Sequence, residues 1–307
     1  MYEKYFYLKE GPFNITPDTR FLFLTRKHRE ALDLLIYGIT SRKGFIMLTA
    51  EVGMGKTTIC RALLEKLPGN VETALILNPL LSGHELLKVI TAEFGLKPAG
   101  DTVKDQLDAL NVLLLKTAAD GGTAAIIIDE AQNLSAEALE MIRLLSNLET
   151  EKAKLLQIVL AGQPEFRQKM ELPELRQLNQ RIIVRYHIDH LDKAETSQYI
   201  RARLFIAGGG ASMPFTDKVV SGIHEKSAGV PRKINIICDR ALTAAYVYDK
   251  KICDEESFAK AIEELTKEGY LTAPVRKKWL KFSLFPYIAL STFAVFLLAG
   301  ILWALEV

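Results

Sequence analysis

Cysteine is scarce in this chain, and its few cysteines form no recognisable pair. Three occur among 307 residues, Cys60, Cys238 and Cys253, and no C-x-x-C spacing joins them. An odd, widely spaced set is typical of reduced thiols in the cytosol and excludes a disulfide framework or a cysteine-based zinc site. The first residues, MYEKYFYLKEGPF, include acids and lack a continuous apolar run, so they do not form a signal peptide. We therefore expect most of the chain to stay in the cytoplasm.

The chain also lacks an excess of charge of either sign. Its 39 basic and 37 acidic residues leave a net charge of +2, which argues against nucleic acid as a partner. Hydrophobic residues make up 49% and charged residues 25%, a composition typical of globular proteins. The length fits roughly two domains with additional segments. Internal repeats and low-complexity tracts are absent from the sequence.

Short apolar runs alternate with amphipathic helical patterns over the first two thirds of the chain. This alternation predicts a parallel sheet that is covered by helices on both faces. The runs predicted to be its strands are 44–50, 73–78, 124–132, 155–163 and 181–188. From about Asp192 onward the pattern is helical only, which predicts a separate small all-helical domain.

The segment AEVGMGKT, residues 50–57, lies between a predicted strand and a predicted helix. It matches the phosphate-binding P-loop, with Ala50 where the usual pattern begins with glycine. Backbone N–H groups of such a loop converge on phosphate oxygens at a helix N-terminus. Lys56 is expected to reach the β- and γ-phosphates of ATP, Thr57 to bind Mg²⁺, and Thr58 to lie near the α-phosphate. The residues predicted to bind the nucleotide are Gly53, Met54, Gly55, Lys56, Thr57 and Thr58.

Polar residues follow two other predicted strands. In the sequence IIIDEAQ, Asp129 is expected to hold Mg²⁺ and Glu130 to act as general base toward the attacking water. Gln163 ends the fourth predicted strand, which we expect to lie beside the strand that carries Asp129. There it can sense the γ-phosphate and position water. The Asp-Glu pair, and the lack of an NKxD motif, favour ATP over GTP.

Two arginines complete the predicted site. Arg181, at the start of the last predicted strand, is expected to act as an arginine finger on the ATP site of a neighbouring subunit, with Arg176 as the competing candidate. Arg232, in AGVPRKIN, starts a helix of the helical domain. From there it can reach the γ-phosphate and couple that domain to the nucleotide state.

The order of these motifs resembles that of the AAA+ ATPases. More closely, six segments together resemble the general secretion pathway protein A family, over about residues 10–268: PFNITPDTRFLFLTRKHREAL, GMGKTT, IIIDEAQNLS, LLQIVLAGQPEF, LRQLNQRI and AGVPRKIN. That family consists of membrane-tied ATPases linked to type II secretion and related pilus assembly. The resemblance implies a subunit ring or another oligomer, and it places Phe21 or Phe23 near the nucleotide base.

The last part of the sequence is strongly apolar. Residues 282–305 contain no charged side chain, and about 24 helical residues cover the ~30 Å hydrocarbon core of a bilayer. Tyr287 and Trp303 lie near its two ends, and the basic sequence VRKKWLK precedes it. These features predict one transmembrane helix with the ATPase on the cytoplasmic side of a bacterial inner membrane. Longer relatives carry a peptidoglycan-binding part after the span. Its absence here implies that any contact with peptidoglycan is indirect.

The predicted architecture is an α/β P-loop AAA+ domain with a small helical lid domain and one C-terminal transmembrane helix. Its predicted parts are an N-terminal segment packing on the ATPase core (1–43), the ATPase domain (44–191), the lid (192–270), a basic linker (271–281) and the span (282–305). The main hypothesis is an ATPase that drives or regulates assembly of a secretion or pilus-type complex through a membrane partner protein. The alternatives are a DNA-directed ATPase of the transposition-regulator type and a nucleotide-gated scaffold with slow turnover.

Overall fold

The computed structural model describes residues 1–15, 19–21, 23–77, 79–149, 154–210 and 213–271. The predicted transmembrane helix and all but the first residue of the predicted basic linker lie outside these residues. Within the part of the chain that is described, no helix is both long enough and apolar enough to cross a bilayer.

A parallel five-stranded sheet forms the centre of the molecule and confirms the predicted α/β class. Its strands are β1 (Phe45–Ala50), β2 (Val71–Ile76), β3 (Thr123–Ile128), β4 (Leu156–Gly162) and β5 (Ile182–Ile188). They are arranged in the order β2-β3-β4-β1-β5, and every pairing is parallel. The prediction extended β3 to residue 132, but the strand ends at Ile128. Glu130 has a left-handed backbone with φ of 51°, and Ala131–Asn133 form a 3-10 turn, so the extended conformation cannot continue.

Helices cover both faces of the sheet. The inner strands β1, β3 and β4 are therefore buried on both sides. The helices around the sheet are α1 (Arg26–Thr40), α2 (Lys56–Lys66), α3 (Gly83–Glu93), α4 (Val103–Ala119), α5 (Ala136–Leu145), α6 (Pro164–Lys169) and α7 (Arg176–Arg181). Alternate residues of β1 enter different cores. Ile46 and Leu48 pack with α1 and α2, whereas Phe45 and Met47 pack with α3 to α7. This alternation is the period-2 geometry of a strand that has no solvent-facing side.

The remaining helices gather around a core of their own. They are α8 (Lys193–Leu204), α9 (Asp217–Ser227), α10 (Pro231–Val247) and α11 (Glu255–Lys267). Side-chain caps fix three of their starts, since Asp192, Thr216 and Asp254 each accept a hydrogen bond from a backbone N–H in the first turn. Proline at the first position starts α10 instead.

The N-terminal residues pack on these last helices, although residues 1–43 were expected to pack on the ATPase core. Four of their side chains, Tyr2, Phe6, Leu8 and Phe13, lie in the core formed by α8 to α11. The hydroxyl of Tyr2 also donates to the Asp239 carboxylate at 2.5 Å. Helix α1, by contrast, packs on the sheet. The first 40 residues thus connect the two bodies, while the domain boundaries stay predictions.

Candidate functional site

The polar residues predicted from the sequence meet at one edge of the sheet. Parallel strands all end at the same edge, so the segments that follow β1, β3 and β4 lie side by side. The P-loop follows β1, Asp129 follows β3 and Gln163 follows β4. The neighbouring positions of β3 and β4 confirm the expectation that Gln163 lies beside the strand preceding Asp129.

The loop between β1 and α2 bends through two glycines with positive φ. Gly53 has φ of 84° and Gly55 has φ of 89°, a conformation that side chains with a Cβ rarely adopt. Helix α2 then begins at Lys56, whose Nζ donates to the carbonyl oxygens of Ala50 at 2.9 Å and Glu51 at 3.3 Å. Burial lowers the pKa of Lys56, although the nearby carboxylates oppose that shift.

The side chains of Thr57 and Asp129 are in direct contact. The hydroxyl of Thr57 donates to Oδ2 of Asp129, and Oδ1 of the same carboxylate accepts the backbone N–H of Glu130 at 2.9 Å. Asp129 is only 1% exposed, and this burial raises its pKa against the opposing effect of its hydrogen bonds. A hydroxyl and a carboxylate side by side are oxygen ligands of the kind that Mg²⁺ prefers. The two residues therefore fit the predicted metal site.

Two amide side chains hold Glu130 beside this pair. Gln132 and Gln163 both donate from Nε2 to the same carboxylate oxygen, Oε2, the latter at 3.2 Å. Burial alone would raise the pKa of Glu130, but these hydrogen bonds and the charge of Lys56 outweigh it and lower the pKa. The carboxylate is therefore ionised at neutral pH, and both amides bind the same oxygen, Oε2.

A cleft of about 550 Å³ extends from the P-loop to the N-terminal segment. The loop residues 52–58 and Glu130 line one end, and Phe21, Phe23 and Tyr199 line the other. At that second end the guanidinium of Arg203 lies over the Phe21 ring at 4.9 Å and donates to the Tyr199 hydroxyl at 3.0 Å. The cleft thus joins a phosphate-binding loop to an aromatic wall.

Helix α10 contacts the P-loop directly. The backbone N–H of Arg232 donates to the carbonyl oxygen of Gly53 at 3.2 Å, and Arg232 lines the cleft. A Cβ placed on Gly53 would lie 2.6 Å from the Cβ of Arg232. Arg232 is the second residue of α10, which begins at Pro231, so it lies at the start of the helix as the sequence predicts.

Arg181 lies elsewhere. It is the last residue of α7 rather than the first residue of the strand, because β5 begins at Ile182. Ile182 pairs with Phe45 at the amino end of β1, whereas the P-loop follows the carboxyl end. Its guanidinium donates to the side chains of Ser146 and Asn147 in the same chain. Arg181 is therefore separated from the cleft of its own chain by about the length of strand β1.

Sequence reasoning missed three residues of the site. Gln132 follows the predicted acids by two positions and holds Glu130, and His28 on α1 contacts the P-loop carbonyl of Met54. Arg203 on α8 shapes the aromatic end of the cleft. Only Gln132 stood inside a motif that could have revealed it. The other two come from distant segments with no local pattern.

Comparison with known proteins agrees with this geometry. A family model described as an AAA domain matches residues 39–170. General secretion pathway protein A of Aeromonas hydrophila is 47% identical over 249 residues, which are 80% of this chain and 45% of that protein. The chain thus spans less than half the length of this relative.

Solved structures show the same fold at low sequence identity. The Aeropyrum pernix ORC2 protein has a TM-score of 0.61 at 17% identity, covering 83% of this chain and 71% of its own. Drosophila ORC bound to DNA has a TM-score of 0.62 at 18% identity, covering 84% and 66%. The Thermotoga maritima RuvB motor has a TM-score of 0.55 at 16% identity, covering 80% and 70%.

The fold and the motifs at its sheet edge define a P-loop ATPase of the AAA+ class. Within that class, the matched part of the chain belongs to the general secretion pathway protein A family.

Replacement of Gly53 by alanine should weaken ATP binding about tenfold. The left-handed backbone costs a residue with a Cβ roughly 1–2 kcal/mol, and the new methyl group would press against α10. Calorimetric titration with ATP gives the affinity. Gly69→Ala is the matched control, because a Cβ there meets no atom within 4 Å. Equal affinity of the Gly53→Ala variant and the control would contradict the close contact between loop and helix.

Proposed function

We propose that this chain is a membrane-anchored ATPase that hydrolyses ATP to drive or regulate assembly of a secretion or pilus-type envelope complex. The observation that carries the catalytic part is the carboxylate of Glu130, held by Gln132 and Gln163 beside the P-loop. Support for the membrane part comes from the uncharged sequence 282–305 and from the name of the relative, general secretion pathway protein A.

ATP binds with its phosphates on the P-loop and its base toward Phe21 and Phe23. The ammonium group of Lys56, now on the carbonyls of Ala50 and Glu51, turns to the β- and γ-phosphates. Thr57 and Asp129 would hold Mg²⁺, which would supply positive charge to neutralise the phosphate oxygens. The aromatic wall and the buried Arg203 shield the base from water.

Glu130 is the general base of the hydrolysis step. Its Oε2 is occupied by the two glutamine amides, so Oε1 accepts the proton of the attacking water. The lowered pKa keeps the carboxylate ionised for this task at neutral pH. Gln163 fixes the carboxylate from the neighbouring strand and lies where it can sense the γ-phosphate. The backbone N–H of Arg232 in α10 is hydrogen-bonded to the P-loop at Gly53. Phosphate release changes this contact and so shifts the C-terminal helices.

Replacement of Glu130 by glutamine should leave ATP binding intact and lower turnover by about 10²–10⁴-fold, the usual contribution of a general base. Phosphate release by the purified chain measures turnover, and calorimetry measures binding. Glu137→Gln, an exposed acid on α5, is the matched control and should keep the wild-type rate. A Glu130→Gln variant at the wild-type rate would show that another group is the base. A wild-type chain that binds ATP without turnover would favour the nucleotide-gated scaffold.

Arg181 requires a second copy of the chain, since it lies at the far end of the sheet from its own cleft. Arg181→Ala should bind ATP normally but lose turnover by a factor of about 10³ or more, as expected for an arginine finger. Mixing it with Glu130→Gln should restore activity, because the second variant supplies Arg181 to sites that retain Glu130.

The matched comparison is a mixture of Arg176→Ala with Glu130→Gln. If turnover is restored in that mixture and not in the one with Arg181→Ala, the arginine finger is Arg176. A mixture of the Arg181→Ala and Glu130→Gln variants no more active than the mean of its two components would reject an arginine finger in trans. If Arg181→Ala lost activity only because its contacts to Ser146 and Asn147 are broken, mixing it with Glu130→Gln would not restore that activity.

The assembly role is tested by capture from native membranes. We expect the full-length Glu130→Gln variant to sediment with inner membranes, and a chain ending at residue 281 to remain in solution. Crosslinking and mass spectrometry of the trapped variant should recover secretion or pilus components, whereas Lys56→Ala, which cannot hold the phosphates, should recover fewer. Equal sedimentation of both chain lengths would reject anchoring by 282–305. Capture of DNA and recombination proteins would favour the DNA-directed alternative.

A further inference from the structure

His28 is a buried histidine that the mechanism above does not use. It lies on α1, is 5% exposed, and lines the cleft beside the P-loop. Its Nε2 is 2.9 Å from the carbonyl oxygen of Met54, and its Nδ1 is 2.7 Å from the hydroxyl oxygen of Thr25. Both ring nitrogens therefore have a partner, one of which belongs to the backbone of the P-loop.

These two contacts define one tautomer of the ring. A carbonyl oxygen only accepts hydrogen bonds, so the proton must lie on Nε2 and point at Met54. Burial lowers the pKa of His28 and keeps the ring neutral, so Nδ1 accepts from the Thr25 hydroxyl. The Thr25 oxygen in turn caps α1 by accepting the backbone N–H of His28 at 3.4 Å. The start of the helix and the orientation of the ring are thus set by the same hydroxyl.

The bond to Met54 also orients the next N–H group of the loop. In a trans peptide the carbonyl oxygen of one residue and the N–H of the next point to opposite sides. Because the Met54 carbonyl points at the His28 ring on α1, the Gly55 N–H points away from that ring. The His28 ring lies close to this peptide. A Cβ placed on Gly55 would be 3.7 Å from the ring atom Nε2.

Helix α1 gives the ring a fixed support. Its side chains Leu32, Leu35 and Ile39 are at most 1% exposed and pack into the core beneath β1 and β4. The His28 ring is attached to this buried helix, so it does not move with the P-loop when the loop changes conformation. The peptide 54–55 is therefore held from outside the loop, in addition to the turn imposed by its glycines.

We propose that His28 is a positioning residue, which holds the Met54–Gly55 peptide so that the Gly55 N–H faces the phosphates of the bound nucleotide. The inference rests on the proposed function, since it takes ATP as the ligand of this loop. It assigns a role to a side chain that lies outside the P-loop and the acid pair.

Three substitutions separate this role from simple packing. His28→Gln places an amide N–H near the position of Nε2 and keeps the donor to Met54. His28→Asn is the matched control, because the shorter amide reaches only the position of Nδ1 and loses that donor. His28→Leu removes both. Calorimetric affinities for ATP and ADP, measured on the full-length chain, are compared with thermal unfolding of each variant and with Lys56→Ala.

We expect His28→Asn and His28→Leu to bind both nucleotides about 3- to 10-fold more weakly, the factor that one lost neutral hydrogen bond gives. His28→Gln should stay within about twofold of wild type by the same measure. Wild-type affinity of the asparagine variant, or a glutamine variant that folds but binds as weakly as the others, would overturn the inference. A wild-type chain that does not bind ATP would overturn the proposed function itself, and this inference with it.

Discussion

Backbone hydrogen bonds between parallel strands hold the whole site together. Strand β1 lies between β4 and β5, and β4 also pairs with β3, so the segments after three different strands emerge at one edge. The P-loop, the acids and Gln163 depend on this register, because each is only one or two residues from the end of its strand. A slip of one residue would reverse the direction of every side chain on that strand.

Two bodies contribute to the cleft, and the N-terminal residues join them. The sheet supplies the P-loop and the acids, while the C-terminal helices supply Arg203, Tyr199 and Arg232. The aromatic residues at the start of the chain pack on the helices, and α1 packs on the sheet. A ligand that fills the cleft therefore contacts both bodies.

Polar side chains in the cleft are held by more than one hydrogen bond each. Glu130 is fixed by two amides on one oxygen, His28 by a hydroxyl and a carbonyl, and Arg203 by backbone carbonyls and a tyrosine hydroxyl. His28 and Arg203 are buried, and buried polar groups of this kind require hydrogen-bond partners. Each group has at least one partner from a distant segment: Gln163 for Glu130, Met54 for His28 and Pro12 for Arg203. The site therefore forms only in the completed fold.

Local spacing, apolar runs and helix signals are enough to predict the α/β class, the P-loop, the acid pair after β3 and the helix that begins near Arg232. The sequence also indicated the family. The strand order and the packing of the first residues on the last helices are visible only in the folded structure. The same is true of the hydrogen bonds from Gln132 and Gln163 to Glu130 and of the contact between His28 and Met54. The folded structure also placed Arg181 at the end of α7, away from the cleft. Apart from the hydrogen bond of Gln132 to Glu130 and the end of α7, these features join residues that are distant in the chain. Local periodicity does not record which distant segments will meet.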